Sequence, residues 1–209
     1  MIMSELVAVA ILAKAPIPGF AKTRLIPALG AERAALLQAR LIDRAVNTAR
    51  AAALGPVTLW ITPHIDDDAI SELTASIKVV QQPPGDLGAR MCAAALAAAG
   101  CVLLIGTDCP ALQASHLRSA ATILRAGTDV VLIPAEDGGY VLIGMRDAQP
   151  ALFSGMAWST PDVLAETRRR LKDLGLSWEE PLVLWDLDTS ADLARLSEAD
   201  LADLVNQSP

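Results

Sequence analysis

Two apolar runs, LVAVAIL at residues 6–12 and VTLWIT at residues 57–62, enclose a long amphipathic segment. Within it, residues 31–54 place apolar side chains on one helical face and charged side chains on the other. The three segments predict a strand–helix–strand unit, and the right-handed crossover rule makes its strands parallel. Gly55 is expected to end the helix as its C-cap.

The same alternation continues along the chain. Further strands are predicted at residues 77–81, 101–105, 129–133, 140–145 and 181–185, with helices at 66–75, 88–99, 115–126 and 159–174 and two short ones beginning near 189 and 197. Alternating elements of this kind predict an α/β fold with a mostly parallel central sheet. We expect residues 1–209 to form one domain, with ligands bound beyond the carboxyl ends of the strands.

Composition excludes several classes of protein. The chain has 209 residues, and 17 Lys and Arg against 24 Asp and Glu give a net charge of −7, which argues against nucleic-acid binding. With 53% hydrophobic and 20% charged residues, disorder is not expected. The 17 uncharged residues 91–107 are divided by Gly100 into a helical and a strand half, so we expect no membrane span. Three cysteines without a CxxC pair fit the reducing cytoplasm, and homo-oligomerisation stays open.

The loop after the first predicted strand is basic. Residues 6–31 contain no acidic side chain, whereas Lys14, Lys22 and Arg24 contribute three positive charges. At the edge of a sheet, such a cluster predicts an anion site, and phosphate is the usual anion there. The alternative is three solvated surface cations. Glycines are too few for a Walker or GxGxxG loop, so side-chain charge would have to hold the phosphates.

Carboxylates follow two other predicted strands. Asp108 comes directly after an apolar strand, where it could bind Mg²⁺ together with substrate phosphates or could simply cap a turn. Residues 136–140 read Glu-Asp-Gly-Gly-Tyr, which predicts a hairpin turn whose glycines also let a ligand approach the backbone. Residues 185–189 read Trp-Asp-Leu-Asp-Thr, and alternate aspartates in an extended segment would point the same way.

Two smaller motifs complete the set. Residues 86–90 read Asp-Leu-Gly-Ala-Arg, and residues 158–161 read Trp-Ser-Thr-Pro and present an aromatic face and hydroxyls at a helix start. Either motif could bind a ligand or be structural.

Taken in order, these motifs resemble a bacterial family of small proteins of the GT-A superfamily, some of which are named arsenosugar biosynthesis glycosyltransferases. The resemblance runs from about residue 9 to about residue 195 and implies a GT-A fold, a three-layer nucleotide-binding sandwich. It also implies kinship with nucleotide-sugar transferases and with molybdenum cofactor and 2-phospho-L-lactate guanylyltransferases. Residues 21–25 look like the basic loop of the last of these, and Asp108 matches the metal-binding aspartate of the superfamily, without the second carboxylate of a DxD motif.

Three functions follow as hypotheses. The resemblance favours a glycosyltransferase that uses a nucleotide-sugar donor. The residue chemistry favours a nucleotidylyltransferase slightly, because an anionic acceptor needs no strong base, so a nucleoside triphosphate and a phosphorylated small molecule are the alternative substrates. The third hypothesis is a nucleotide-binding module without turnover.

The residues expected to carry the function form four groups. They are Asp108, Glu136 and Asp137 for catalysis; Lys14, Lys22, Arg24, Gly88 and Arg90 for nucleotide or phosphate binding; Gly138, Gly139, Tyr140, Trp158, Ser159 and Thr160 for substrate binding; and Asp108 with Asp188 for Mg²⁺ or Mn²⁺.

Overall fold

A computed structural model describes residues 6–63, 77–197, 200 and 204. The strands in these ranges are β1 (Ala8–Lys14), β2 (Val57–Thr62), β3 (Lys78–Gln81), β4 (Val102–Ile105), β5 (Val130–Pro134), β6 (Tyr140–Met145) and β7 (Trp178–Glu179). The helices are α1 (Ile26–Leu29), α2 (Ala31–Ala52), α3 (Leu87–Ala98), α4 (Ala114–Arg125), α5 (Val163–Asp173) and α6 (Ser190–Leu193). None of these helices is both long enough and apolar enough to cross a membrane.

The strands form one sheet in the order β3-β2-β1-β4-β6-β5-β7. Strand β6 runs antiparallel to both of its neighbours, and the remaining pairs are parallel. The predicted α/β fold with a mostly parallel sheet is therefore confirmed.

Helices cover both faces of the sheet because the strands are apolar on both sides. In β1, Val9 and Ile11 pack against α2 and α4, whereas Ala10 points to the opposite face, where α3 and α5 pack. A smaller third cluster joins the basic-loop residue Leu25 and α2 to Leu187 of the C-terminal segment. The result is the predicted three-layer sandwich, with the C-terminal segment held against the basic loop.

The first strand–helix–strand unit is as predicted except that β1 begins and ends two residues later, at Ala8 and Lys14, and that the helix ends earlier. Helix α2 ends at Ala52, and Ala53, with φ +53°, occupies the left-handed position expected for Gly55. Gly55 serves a different purpose, because a Cβ there would lie 2.7 Å from the carbonyl oxygen of Val7. The glycine therefore allows two backbone segments to approach closely.

One predicted strand is wrong. Residues 181–185 form no strand, and β7 lies earlier, at Trp178–Glu179. Pro181 has no amide proton to donate to β5. The segment pairs with the sheet only around Leu184, whose amide donates to the carbonyl of Pro134 at 3.0 Å. The predicted helix at residues 66–75 lies outside the described residues.

The sheet topology places the loops that carry the candidate functional residues at one edge of the sheet. Strands β1 and β4 are parallel neighbours, so Lys14 and Asp108 follow their strands on the same side. Strand β5 also runs parallel to β4, since both are antiparallel to β6, and the hairpin at residues 135–139 therefore lies at this edge too. This is the edge where open α/β sheets bind ligands.

Candidate active site

The side chain of Lys22 lies among carboxylates. Lys22 precedes the short 3₁₀ helix Thr23–Leu25 in a left-handed conformation, with φ +46°. Its Nζ lies 2.6 Å from Oδ1 of Asp108 and 3.6 Å from Oδ1 of Asp188, and it donates to the carbonyl oxygen of Leu187 at 2.7 Å. Only 5% of the side chain is exposed. Lys22 thus links the basic loop to two separate acidic segments.

Asp108 is fixed from several directions. The buried amide of Gln38 donates to the carbonyl oxygen of Lys14 at 3.0 Å and to the hydroxyl of Thr107 at 3.2 Å. That hydroxyl donates to Oδ1 of Asp108 at 3.3 Å. The backbone carbonyl of Asp108 accepts from the amide of Leu187 at 2.7 Å. Helix α2, the ends of β1 and β4 and the C-terminal segment are therefore joined at this aspartate.

Four aspartates form a group that we name the carboxylate cluster: Asp108, Asp137, Asp186 and Asp188. Burial, together with the negative charges of the other three, raises the pKa of Asp186 to about 7, while Lys22 opposes the rise. Burial, with Asp108 adding to it, also raises the pKa of Asp188. Burial is the larger cause of both shifts, and repulsion among carboxylates that come from three loops adds to it.

The cluster has the chemistry of a divalent cation site. Carboxylate oxygens are the ligands that Mg²⁺ and Mn²⁺ prefer, and two charged oxygens can suffice when phosphates and water complete the shell. A bound cation would relieve the mutual repulsion among the aspartates. The carboxylate oxygens of the cluster therefore fit such an ion. Within the described ranges, however, no three His, Cys, Asp or Glu side chains are already arranged around one metal position.

The other predicted phosphate-binding cations lie near this cluster or at the same edge. Nη1 of Arg24 is 3.5 Å from Oδ2 of Asp188, and 68% of the Arg24 side chain is exposed. Lys14 is exposed at the end of β1, and its backbone carbonyl is the acceptor for Gln38. The structure therefore gives the basic loop one buried cation and two exposed ones.

The hairpin between β5 and β6 is the predicted turn. The amide of Ala135 donates to the carbonyl of Gly139, and the amide of Gly139 donates to Oδ1 of Asp137 at 2.9 Å. Gly138 has φ +93°, and a Cβ on it would clash with the carbonyl oxygen of Pro161. Gly138 thus permits the hairpin to pack directly on the turn before α5, and the hairpin holds Asp137 in the carboxylate cluster.

Glu136 is engaged by an arginine. The two terminal nitrogens of Arg195, Nη1 and Nη2, donate to the carboxylate of Glu136 at 2.7 and 2.9 Å. This hydrogen bonding lowers the pKa of Glu136. The guanidinium also stacks on the Trp185 ring, 4.5 Å from its centroid. Arg195 therefore connects the hairpin to the C-terminal segment, and a catalytic role for Glu136 stays a prediction.

Gly88 and Trp158, predicted in different ligand-binding groups, pack together. A Cβ on Gly88 would lie 2.5 Å from the carbonyl oxygen of Phe153 and 2.7 Å from Nε1 of Trp158. The glycine thus lets the loop before α5 lie on the first turn of α3. Arg90, two residues further along α3, is half-buried. The ligand-binding roles of all three predicted residues stay predictions.

The remaining predicted substrate-binding side chains differ in exposure. The hydroxyl of Tyr140 is buried beside Thr167 of α5, and burial raises its pKa. Ser159 is exposed in a left-handed conformation, and the hydroxyl of Thr160 donates to the carbonyl of Ala157 at 2.9 Å. These contacts hold the loop and β6 in place, and substrate binding by these residues stays a prediction.

Two residues of the site were not predicted from the sequence. Asp186 joins the carboxylate cluster, and the alternation of aspartates at residues 185–189 was the available signal. Gln38 had no local signal, because it lies in a regular helix and acts through Thr107, 69 residues away.

Comparison with known proteins identifies the family. A family model described as an uncharacterized protein conserved in bacteria, DUF2064, matches residues 45–160, more than half of the chain. The chain belongs to the DUF2064 family. The matched range of this DUF2064 protein includes β4, Asp108 and the hairpin.

Relatives connect the family to nucleotide chemistry. A 3-phospho-D-glycerate guanylyltransferase from Phenylobacterium zucineum (strain HLK1) is 32% identical over 188 residues, or 85% of this chain and 84% of that protein. A candidate nucleotide-diphospho-sugar transferase from Desulfovibrio desulfuricans G20 has a TM-score of 0.85 at 28% identity, covering 92% of this chain and 87% of that one. Rv0371C from Mycobacterium tuberculosis H37Rv, solved with manganese, shares the fold at a TM-score of 0.54 and 15% identity, over 96% and 99% of the two chains.

These findings confirm the GT-A-like fold and the kinship with guanylyltransferases that the resemblance implied. This DUF2064 protein is an enzyme of the transferase class. The hypothesis of a binding module without turnover is thereby set aside.

Proposed function

We propose that the protein is a metal-dependent nucleotidylyltransferase that transfers a guanylyl group from GTP to the phosphate of a small phosphorylated acid. The observation that carries the proposal is the 32% identity, over 85% of the chain, to a protein named 3-phospho-D-glycerate guanylyltransferase. A relative with this identity over most of both chains shares the fold. The proposal extends its chemistry to this chain.

The basic loop is the proposed binding site for the triphosphate. Lys14, Lys22 and Arg24 follow β1 at the edge where nucleotide-binding α/β sheets hold their ligands. Three cations suit the charge of a triphosphate better than that of a single phosphate. The predicted contacts of Gly88 and Arg90 with the nucleotide belong to the same proposal.

Asp108, together with Asp186 and Asp188, is the proposed binding site for Mg²⁺ or Mn²⁺. When bound, the ion would neutralise charge on the phosphates of the donor. A protein of the same fold has been solved with manganese, which supports a divalent cation in this architecture. Asp186 enters this set because it lies with Asp108 and Asp188 in the carboxylate cluster.

The proposed reaction needs little from the protein beyond positioning. An oxygen of the acceptor phosphate attacks the α-phosphorus of GTP, a new phosphorus–oxygen bond forms, and the bond to the β-phosphate oxygen breaks with release of pyrophosphate. The acceptor is already anionic, so no general base is required. This suits a site whose Glu136 is bound by Arg195, because that carboxylate need not act as a base. Residues of the hairpin and the loop at 158–160 are the proposed acceptor contacts.

Glycosyl transfer from a nucleotide sugar is the second candidate. The observation in its favour is the similarity, at a TM-score of 0.85 and 28% identity, to a candidate nucleotide-diphospho-sugar transferase. On the family resemblance of the sequence alone, glycosyl transfer is the first candidate. It ranks second here because the relative with a named reaction is a guanylyltransferase with the higher sequence identity.

A donor screen separates the two candidates. The purified enzyme is incubated with each nucleoside triphosphate or nucleotide sugar, with Mg²⁺ or Mn²⁺, and with 3-phosphoglycerate or 2-phospholactate as acceptor. We expect acceptor-dependent release of pyrophosphate chiefly from GTP, and loss of that activity in Asp108→Asn. Release of a nucleoside diphosphate from a nucleotide sugar, without pyrophosphate from any triphosphate, would instead establish glycosyl transfer.

A further inference from the structure

In the proposed function, the ammonium of Lys22 and a divalent cation would compete for the same carboxylate, that of Asp108. Its ammonium is buried against Asp108, Asp188 and the carbonyl of Leu187, rather than exposed toward the solvent side of the loop as Arg24 is. A buried ammonium needs such acceptors, since an unpaired charge in this setting is costly. In the structure described here, Lys22 therefore acts as the counter-ion of the carboxylate cluster.

A divalent cation bound to Oδ1 of Asp108 would share that oxygen with the ammonium of Lys22. Lys22 Nζ already lies 2.6 Å from Asp108 Oδ1, and the hydroxyl of Thr107 donates to that oxygen at 3.3 Å. Mg²⁺ binds carboxylate oxygens at about 2.0–2.1 Å. Two cations that close to one oxygen would repel each other strongly in a partly buried site.

We propose that Lys22 and the divalent cation exchange at Asp108: the ammonium holds the cluster together in the metal-free protein, and the arriving ion displaces it toward the nucleotide phosphates. This inference rests on the proposed function for the identity of the metal and the phosphate ligands. The long, flexible side chain of Lys22 can move without moving the loop. The exchange couples metal binding to triphosphate binding, because the displaced ammonium gains a new anionic partner.

Metal affinity tests the exchange without any catalysis. Mn²⁺ binding to the metal-free protein, in the absence of nucleotide, is measured by electron paramagnetic resonance for the wild type, Lys22→Met and Arg24→Met. The Lys22→Met variant removes the competing charge, so Mn²⁺ should bind about tenfold more tightly or better. The Arg24→Met control removes a charge of the same sign beside Asp188 that does not touch Asp108, and should change the affinity by less than about threefold.

Two results would overturn the exchange. Equal tightening in both variants would show only a general effect of net charge, and unchanged or weaker binding in Lys22→Met would show that the lysine supports the metal site rather than competes for it. Weaker binding is a real alternative, since Lys22 also holds the carbonyl of Leu187 between the two C-terminal aspartates.

A second measurement does not depend on the folding of Lys22→Met. The chain contains four lysines, Lys14, Lys22, Lys78 and Lys172, so a spectrum of lysine labelled with ¹³C and ¹⁵N is simple to assign. Saturation of the wild type with Mg²⁺, without nucleotide, should shift the Cε and Nζ resonances of Lys22 while those of Lys78 and Lys172 stay in place. A Lys22 resonance that does not move when Mg²⁺ is bound would refute the exchange.

The outcomes separate this inference from the proposed function. Metal binding without displacement of Lys22 rejects only the exchange, whereas displacement without any guanylyl product rejects only the reaction. Failure of either ion to bind the wild type or the variants would reject both the exchange and the metal site.

Discussion

The buried carboxyl of Asp186 should make the stability of the metal-free protein depend on pH between 6 and 8. Its pKa is about 7 in the folded protein, raised first by burial and then by neighbouring aspartates, against an ordinary value of 3.8. Between these values the folded state holds a proton that the unfolded state has released. The free energy of unfolding must therefore rise as the pH falls through 7.

The magnitude follows from the folded-state pKa. From pH 8 to pH 6 the group passes from about one-tenth to about nine-tenths protonated, which corresponds to roughly 1.4 kcal/mol of added stability. For a protein of this size that is a rise of roughly 3–6 °C in the melting temperature. The unfavourable free energy of an ionised Asp186 in the folded protein is fully present above pH 8 and is removed as the pH falls.

The assay is urea denaturation at pH 6, 7 and 8 in the presence of a chelator, on the wild type and on Asp186→Asn. The asparagine keeps the shape of the side chain and removes its titration, so the difference between the two proteins isolates the contribution of this one carboxyl. We expect this difference to change by roughly 1.4 kcal/mol over the range. Parallel pH profiles for the two proteins would refute the burial and repulsion assigned to Asp186.

Three other predictions follow from single contacts. Gly138→Ala should destabilise the protein by about 1–3 kcal/mol more than Gly127→Ala. Both glycines have positive φ, but of the two only Gly138 lies against backbone, at Pro161. Equal losses of stability in urea denaturation would show that this contact has no role. Gln38→Leu should lower the free energy of unfolding by about 1–3 kcal/mol and weaken Mn²⁺ binding, because Thr107 and the carbonyl of Lys14 lose the hydrogen bonds from Gln38. Unaltered metal affinity would show that Gln38 does not help to position Asp108. Asp108→Asn should lower kcat at least about 100-fold, and an active variant would exclude Asp108 from the site.

The fold could be predicted from the sequence because its signals are local. Strands β2 and β6 have the predicted boundaries, and the hairpin at residues 135–139 follows from its Asp-Gly-Gly sequence. The prediction failed at residues 181–185, where the apolar residues suggested a strand. Backbone pairing decided the outcome there, because Pro181 has no amide proton to donate and only Leu184 of the segment pairs with the sheet.

The site could be predicted only in part, for a different reason. The residue types at the ends of β1 and β4 indicated phosphates and a metal, but the contacts that organise the site join distant segments. Lys22 and Leu187 are 165 residues apart, and no local pattern reveals that the lysine points at carboxylates rather than at solvent. Asp186 was recognised as one of two alternating aspartates but was not assigned to the metal, because its importance depends on the packing of Leu187, which is fully buried next to it.

The central claim is that guanylyl transfer to a phosphorylated acid occurs at the cluster around Asp108. Mass spectrometry after incubation of the enzyme with GTP, 3-phosphoglycerate and Mg²⁺ tests it most directly. The account predicts a new species that joins GMP to phosphoglycerate through a diphosphate, equal in amount to the pyrophosphate released and absent with Asp108→Asn. Unchanged GTP beside an enzyme that transfers sugar from a nucleotide sugar would contradict the account.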